Sequence, residues 1–147
     1  MKTDTFFRFA QDVALSKLAK VGSLEELPLP LQTVLVIDSA QGIIDNGGFQ
    51  YFFEADFPGM PDYSTFIDAY ERIGAISCAN AIREALALFD FPQPHLHLKQ
   101  RLRYLNKWQR MKSSPLEPLD KVVIGNKVVW KLLEKYAKAH GDAFGLP

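Results

Sequence analysis

The sequence predicts an all-α fold, a single-domain compact helical bundle of about six or seven helices over residues 1–147. Two observations carry this. Apolar residues recur at three-four spacing in successive windows, which is the period of one helix face. Proline pairs and single glycines stand between those windows, where helices begin and end. The composition, 48% hydrophobic and 23% charged, is that of an ordinary globular chain and excludes a disordered or fibrous one.

The first helix is predicted from a Thr3-Asp4 cap to Val21, with Phe6, Phe7, Ala10, Val13, Ala14, Leu18 and Val21 on its apolar face and Gly22 as a left-handed stop. Pro28 and Pro30 suit the entrance to a second helix over Leu31 to Ile44. Its run Val34-Leu35-Val36-Ile37 is apolar nearly all round, which implies a central position with neighbours on several sides.

Further along, Asp62 or Ser64 can cap a helix carrying Phe66, Ile67, Tyr70 and Ile73, and Gly74 separates it from the next, with Ile76, Ala79, Ile82, Leu86 and Phe89. Pro92 and Pro94 mark a loop. From His95 to Lys112, Leu98, Leu102, Leu105 and Trp108 fall in helical register, so the charges of this stretch are expected on the opposite face and Trp108 in the core. Pro115 and Pro118 introduce the closing helix, which Gly125-Asn126 can split before it reaches Gly141.

The least generic segment is Gln41 to Phe53, and it allows two physical readings. Asn46-Gly47 is a strong type I′ hairpin signal, and the aromatic run after it suits a strand. Alternatively, Asn46 and Gly47 take left-handed conformations that end one helix, and Phe49 begins a short helix at an angle. Phe52, Phe53 and Phe57 are expected as core or dimer contacts.

A net charge of +0 conceals an asymmetry. Between Val21 and Glu71 stand nine acids (Glu25, Glu26, Asp38, Asp45, Glu54, Asp56, Asp62, Asp68, Glu71) and no Lys or Arg. From Lys99 to Lys112 stand six cations (Lys99, Arg101, Arg103, Lys107, Arg110, Lys112) and no acid. Segments of opposite sign either attract charged partners or pair with each other.

Ile44-Asp45-Asn46-Gly47-Gly48-Phe49-Gln50-Tyr51-Phe52 resembles the N-G-G-F signature of the bacterial DNA mimic protein 19 family. Fainter likeness extends to Tyr70-Glu71-Arg72-Ile73-Gly74-Ala75, to Arg83-Glu84-Ala85-Leu86-Ala87-Leu88-Phe89 and to Leu132-Leu133-Glu134-Lys135-Tyr136, so that it covers about residues 30–145. The resemblance implies a mostly helical fold, and hence the helix-turn-helix reading of the motif, with Asn46, Gly47, Gly48 and Phe49 as a structural turn. It also implies kinship with an acidic homodimer whose carboxylates imitate DNA phosphates and occupy a DNA-binding regulator. With a net charge of +0, this chain confines any such mimicry to its acidic stretch.

The expected function is therefore a non-enzymatic, cytoplasmic interaction protein in which Asp45, Glu54, Asp56 and Asp62 engage a basic partner such as a DNA-binding regulator, with a homodimer possible. No catalytic residue, cofactor, metal or membrane contact is expected. The second expectation is nucleic-acid binding through Lys99, Arg101, Arg103, Lys107 and Arg110, with Tyr104 beside them. A small enzyme using Asp38 and Asp45 ranks third. Seven residues apart on one helix, these two lie about 10.5 Å apart along the axis, wider than paired glycosidase carboxylates. His95 and His97 form an H-x-H pair without supporting ligands at metal-site spacing, and Cys78 reads as a small core residue.

Overall fold

A computed structural model describes residues 5–145 and shows seven α-helices and, among those residues, no strand. Helix α1 (Thr5–Val21) buries Phe7, Ala10 and Ala14 and stops at Gly22, whose φ of +86° lets its N–H reach back to Leu18 O at 2.9 Å. The predicted Thr3-Asp4 cap lies outside the described residues.

Helix α2 (Leu29–Glu54) is the axle of the fold, packing against α1, α3 (Ser64–Arg72), α5 (Leu98–Gln109), α6 (Glu117–Val123) and α7 (Lys127–Ala139). Its all-round apolar sequence has the consequence predicted for it: Leu31, Val34, Val36, Ile37, Ala40 and Ile44 are buried against different neighbours. Helix α3 leads through Gly74 (φ +89°) into α4 (Ile76–Leu86), which leans on α3 and α6. The basic stretch is shorter as a helix than its sequence predicts, because Pro94–Leu96 forms a 3-10 turn and α5 starts only at Leu98. Gly125-Asn126 does split the closing helix, and Asn126 caps α7 by accepting from Val128 N.

The aromatic run after the motif is helical, and the hairpin is not formed. A strand would place Phe49, Tyr51 and Phe53 on one face. Instead Phe49, Phe52 and Phe53, at helical three-four spacing, are all fully buried while Tyr51 and Glu54 face outward. Phe52 meets Phe66 of α3 edge-on at 5.1 Å, and Phe53 meets Phe89 at 4.8 Å, which in turn packs on Trp108 of α5 at 5.2 Å. Each such pair adds about 0.5–1.5 kcal/mol beyond area burial, so this cluster decides the helical reading over local turn propensity.

Candidate functional site

The N-G-G-F motif is a kink that divides α2 into arms 29–46 and 49–54. Gly48, at φ +65° and ψ −161°, occupies a region that is essentially glycine's own. This corrects the expectation that Asn46 and Gly47 are left-handed; Gly47 has φ −158°, which any residue adopts. Its lack of a side chain matters for another reason, since a Cβ there would stand 2.1 Å from the ring of Tyr51. At Gly48 a Cβ would stand 2.8 Å from the carboxylate of Asp120.

Asp120 of α6 explains that close approach. Its Oδ1 accepts the N–H of Phe49 at 2.8 Å, so a carboxylate sits at the start of the short arm, where helix amides lack partners and the dipole favours negative charge. Burial pushes the Asp120 carboxyl above its usual range, and the Phe49 hydrogen bond opposes that rise. Next to it, the buried Gln41 donates to Asp45 Oδ1 at 2.7 Å and to Val123 O at 2.8 Å, and accepts from Tyr70 Oη at 2.9 Å. Asp45 Oδ1 also accepts the Gly125 N–H at 2.8 Å. This network ties α2 to α3, to α6 and to the α6–α7 elbow.

The far end of the same arm is held by Arg101, the largest fully buried side chain. Its guanidinium donates to Phe53 O at 2.8 Å, Pro94 O at 2.7 Å, His95 O at 3.2 Å, Ala55 O at 3.4 Å and Asp56 Oδ1 at 3.0 Å. A cation on the last carbonyls of a helix complements both its unpaired acceptors and its dipole. The motif arm is thus a helix of fewer than two turns with a carboxylate at its N-terminus and a guanidinium at its C-terminus. Arg101 is therefore no nucleic-acid contact, contrary to the sequence expectation for it.

The acidic candidates separate into three situations. Asp45 is taken up by the elbow network, on the other side of the kink from the rest. Asp56 is half exposed but paired with Arg101. Glu54 and Asp62 face solvent: Glu54 accepts only from Gln50 at 2.7 Å, and Asp62, 63% exposed, accepts the Ser64 N–H at 2.8 Å. That hydrogen bond is the first cause of a carboxyl held below its usual range. Asp56 and Asp62 flank one shallow depression, for His95, 3.9 Å from Asp62, lines it together with Asp56, Met60 and Tyr63. Asp68, on the exposed face of α3, was not singled out from the sequence but belongs with Glu54 and Asp62.

The remaining candidates have structural surroundings. Asp38 is partly buried, and burial raises its carboxyl against the lowering effect of a Gln11 hydrogen bond. His95 packs on Tyr63 and His97 on Phe91, so the two rings rest on different aromatics. Cys78 is buried, near Asn126 Nδ2 at 3.5 Å, and its thiol is pushed up to about 11 chiefly by burial. Among the described residues, no three His, Cys, Asp or Glu side chains are grouped as metal ligands, and no helix is long and apolar enough to cross a membrane.

The kink and both helix-end clamps lie inside a region that a known family model matches. No curated protein and no solved structure matches the chain significantly. The profile of the DMP19-like protein family matches residues 25–140, which contain the kink, Arg101 and Asp120, and the chain belongs to that family.

Proposed function

We propose that this is a non-enzymatic interaction protein of the cytoplasm whose exposed carboxylates at Glu54, Asp62 and Asp68 engage a basic protein surface, such as that of a DNA-binding regulator. The observation that supports the reading most is that the two charged segments leave each other largely alone. Among the described residues, they meet in a single ion pair, Arg101–Asp56. Glu25, Glu26, Glu54 and Asp68 are exposed with no Lys or Arg paired to them among the described residues, so their field extends into solvent. Family membership adds that acidic surfaces in the resembled relative stand in for DNA phosphates.

Asp56 is the wrong residue at which to test this, because its reversal would strand the buried Arg101. Glu54→Lys with Asp68→Lys changes only exposed groups. Wild type and this double variant are used to capture proteins from an extract of the source cells, with circular dichroism confirming equal helicity. A basic protein retained by wild type and lost from the variant is the expected result. No basic protein on either form, or equal retention by both, overturns the reading.

A further inference from the structure

We infer that the solvent face of α5, with the aromatic ledge at its edge, is a second and separate binding surface that takes single-stranded nucleic acid. Removing Arg101 and Trp108 to the interior sharpens what is left. Lys99, Arg103, Lys107 and Arg110 are all exposed, and at 100° per residue they fall within an arc of about 80°, spread over about 16 Å of helix rise. None has an acidic partner within ion-pair distance among the described residues, and the sequence holds no Asp or Glu between Asp90 and Glu117. The cations form one continuous row whose charge is unspent.

Helical register places Gln100 and Tyr104 along one edge of that row. Tyr104 is half-buried, packing on Phe91 at 5.4 Å, and Phe91 packs on the exposed His97 at 6.3 Å. All three residues are at least partly exposed, and Tyr104 shares α5 with the cations. Cations that track a phosphate backbone, flanked by aromatic faces on which bases stack, are the two requirements for binding a single strand without reading its sequence. An acidic protein surface would use the cations and leave the rings idle. A duplex would likewise offer phosphates but keep its bases stacked away from the ledge. This surface lies on a different helix from Glu54, Asp62 and Asp68, so it stands or falls independently of the proposed acidic contact.

The test is fluorescence anisotropy of a labelled 20-nucleotide oligo-dT, its duplex with oligo-dA and a labelled poly-glutamate peptide, titrated with the full chain at several salt concentrations. Four neutralised phosphates predict a log–log salt slope of about −2.8 for the single strand. Arg103→Gln with Lys107→Gln, both at exposed positions, should halve the slope to about −1.4 and weaken binding. Tyr104→Leu should leave the slope unchanged and weaken the single strand by roughly 5- to 150-fold. If that variant is poorly helical, the slope of the double variant decides alone. No binding of oligo-dT at low salt, a slope indifferent to the double variant, or equal or tighter binding of the duplex or of poly-glutamate overturns the inference.

Discussion

Replacing Arg101 by Met keeps most of the buried stem and removes the five donors at the end of the motif arm. The carbonyls of Phe53, Ala55, Pro94 and His95 and the carboxylate of Asp56 then lose their shared partner. Stranding one partner of a buried ion pair costs about 3–5 kcal/mol. The Asp56 side chain is 49% exposed and rehydrates, which lowers the figure. The buried Phe53 carbonyl does not, and an unpaired buried acceptor costs about 1–3 kcal/mol.

A loss of about 3–4 kcal/mol follows, equivalent to roughly 10 °C in Tm for a domain of this size. Asp56→Asn keeps an acceptor but takes the counter-charge from a buried guanidinium that retains four carbonyl acceptors, and should cost about 1–2 kcal/mol, less than Arg101→Met. Arg103→Met, two residues along the same basic run but at the surface, should stay within about 0.5 kcal/mol. Urea unfolding followed by helical circular dichroism measures all three. If Arg101→Met is no worse than Arg103→Met, or Asp56→Asn is as damaging as Arg101→Met, the helix-end role of Arg101 is refuted.

Three more outcomes follow from particular surroundings. Gly48→Ala should cost at least about 1–3 kcal/mol from backbone strain alone, with Asp120 crowding added. Gly42→Ala, with open space around its Cβ position in the same helix, should gain about 0.5–1 kcal/mol; parallel urea curves compare them. Asp38 has its folded-state pKa raised by burial, so the native state holds its proton more tightly than the unfolded chain. Stability from this group is therefore fully present in acid and falls as pH rises through that pKa. Asp38→Asn should accordingly stabilise at neutral pH, with a gain that fades on acidification below the ordinary carboxylate range, as read from melts across pH. Native Cys78 should resist a thiol reagent at neutral pH and react once urea unfolds the chain, in a spectrophotometric thiol assay.

Much of the fold was legible because helix periodicity and its punctuation agree along most of the chain. The centrality of α2, the stop at Gly22 and the split at Gly125-Asn126 are written locally. The motif was not, since Asn-Gly carries a hairpin signal that only the packing of Phe49, Phe52 and Phe53 overrides. Arg101 was missed although its spacing announces it: it stands three residues from Leu98, four from Leu105 and seven from Trp108, in step with the apolar face. Asp120 stands in the same relation to Leu116 and Val123. Charge alone reads as surface, whereas register turns Arg101 fully and Asp120 partly inward, where the ends of the motif arm supply their partners. The distinction among Asp45, Asp56, Glu54 and Asp62 was beyond reach of the sequence, because it depends on Gly125 and Arg101, 80 and 45 residues away.

The central claim is that exposed carboxylates draw in a basic protein, and the association rate with the captured partner tests it most directly. Stopped-flow mixing at low and at physiological salt compares wild type with the Glu54→Gln, Asp62→Asn, Asp68→Asn variant, which keeps every hydrogen-bond acceptor and removes the charge. The claim predicts a wild-type rate that drops by about tenfold or more as salt rises, and a variant that is already slow at low salt. A rate indifferent to salt and equal in both proteins contradicts it.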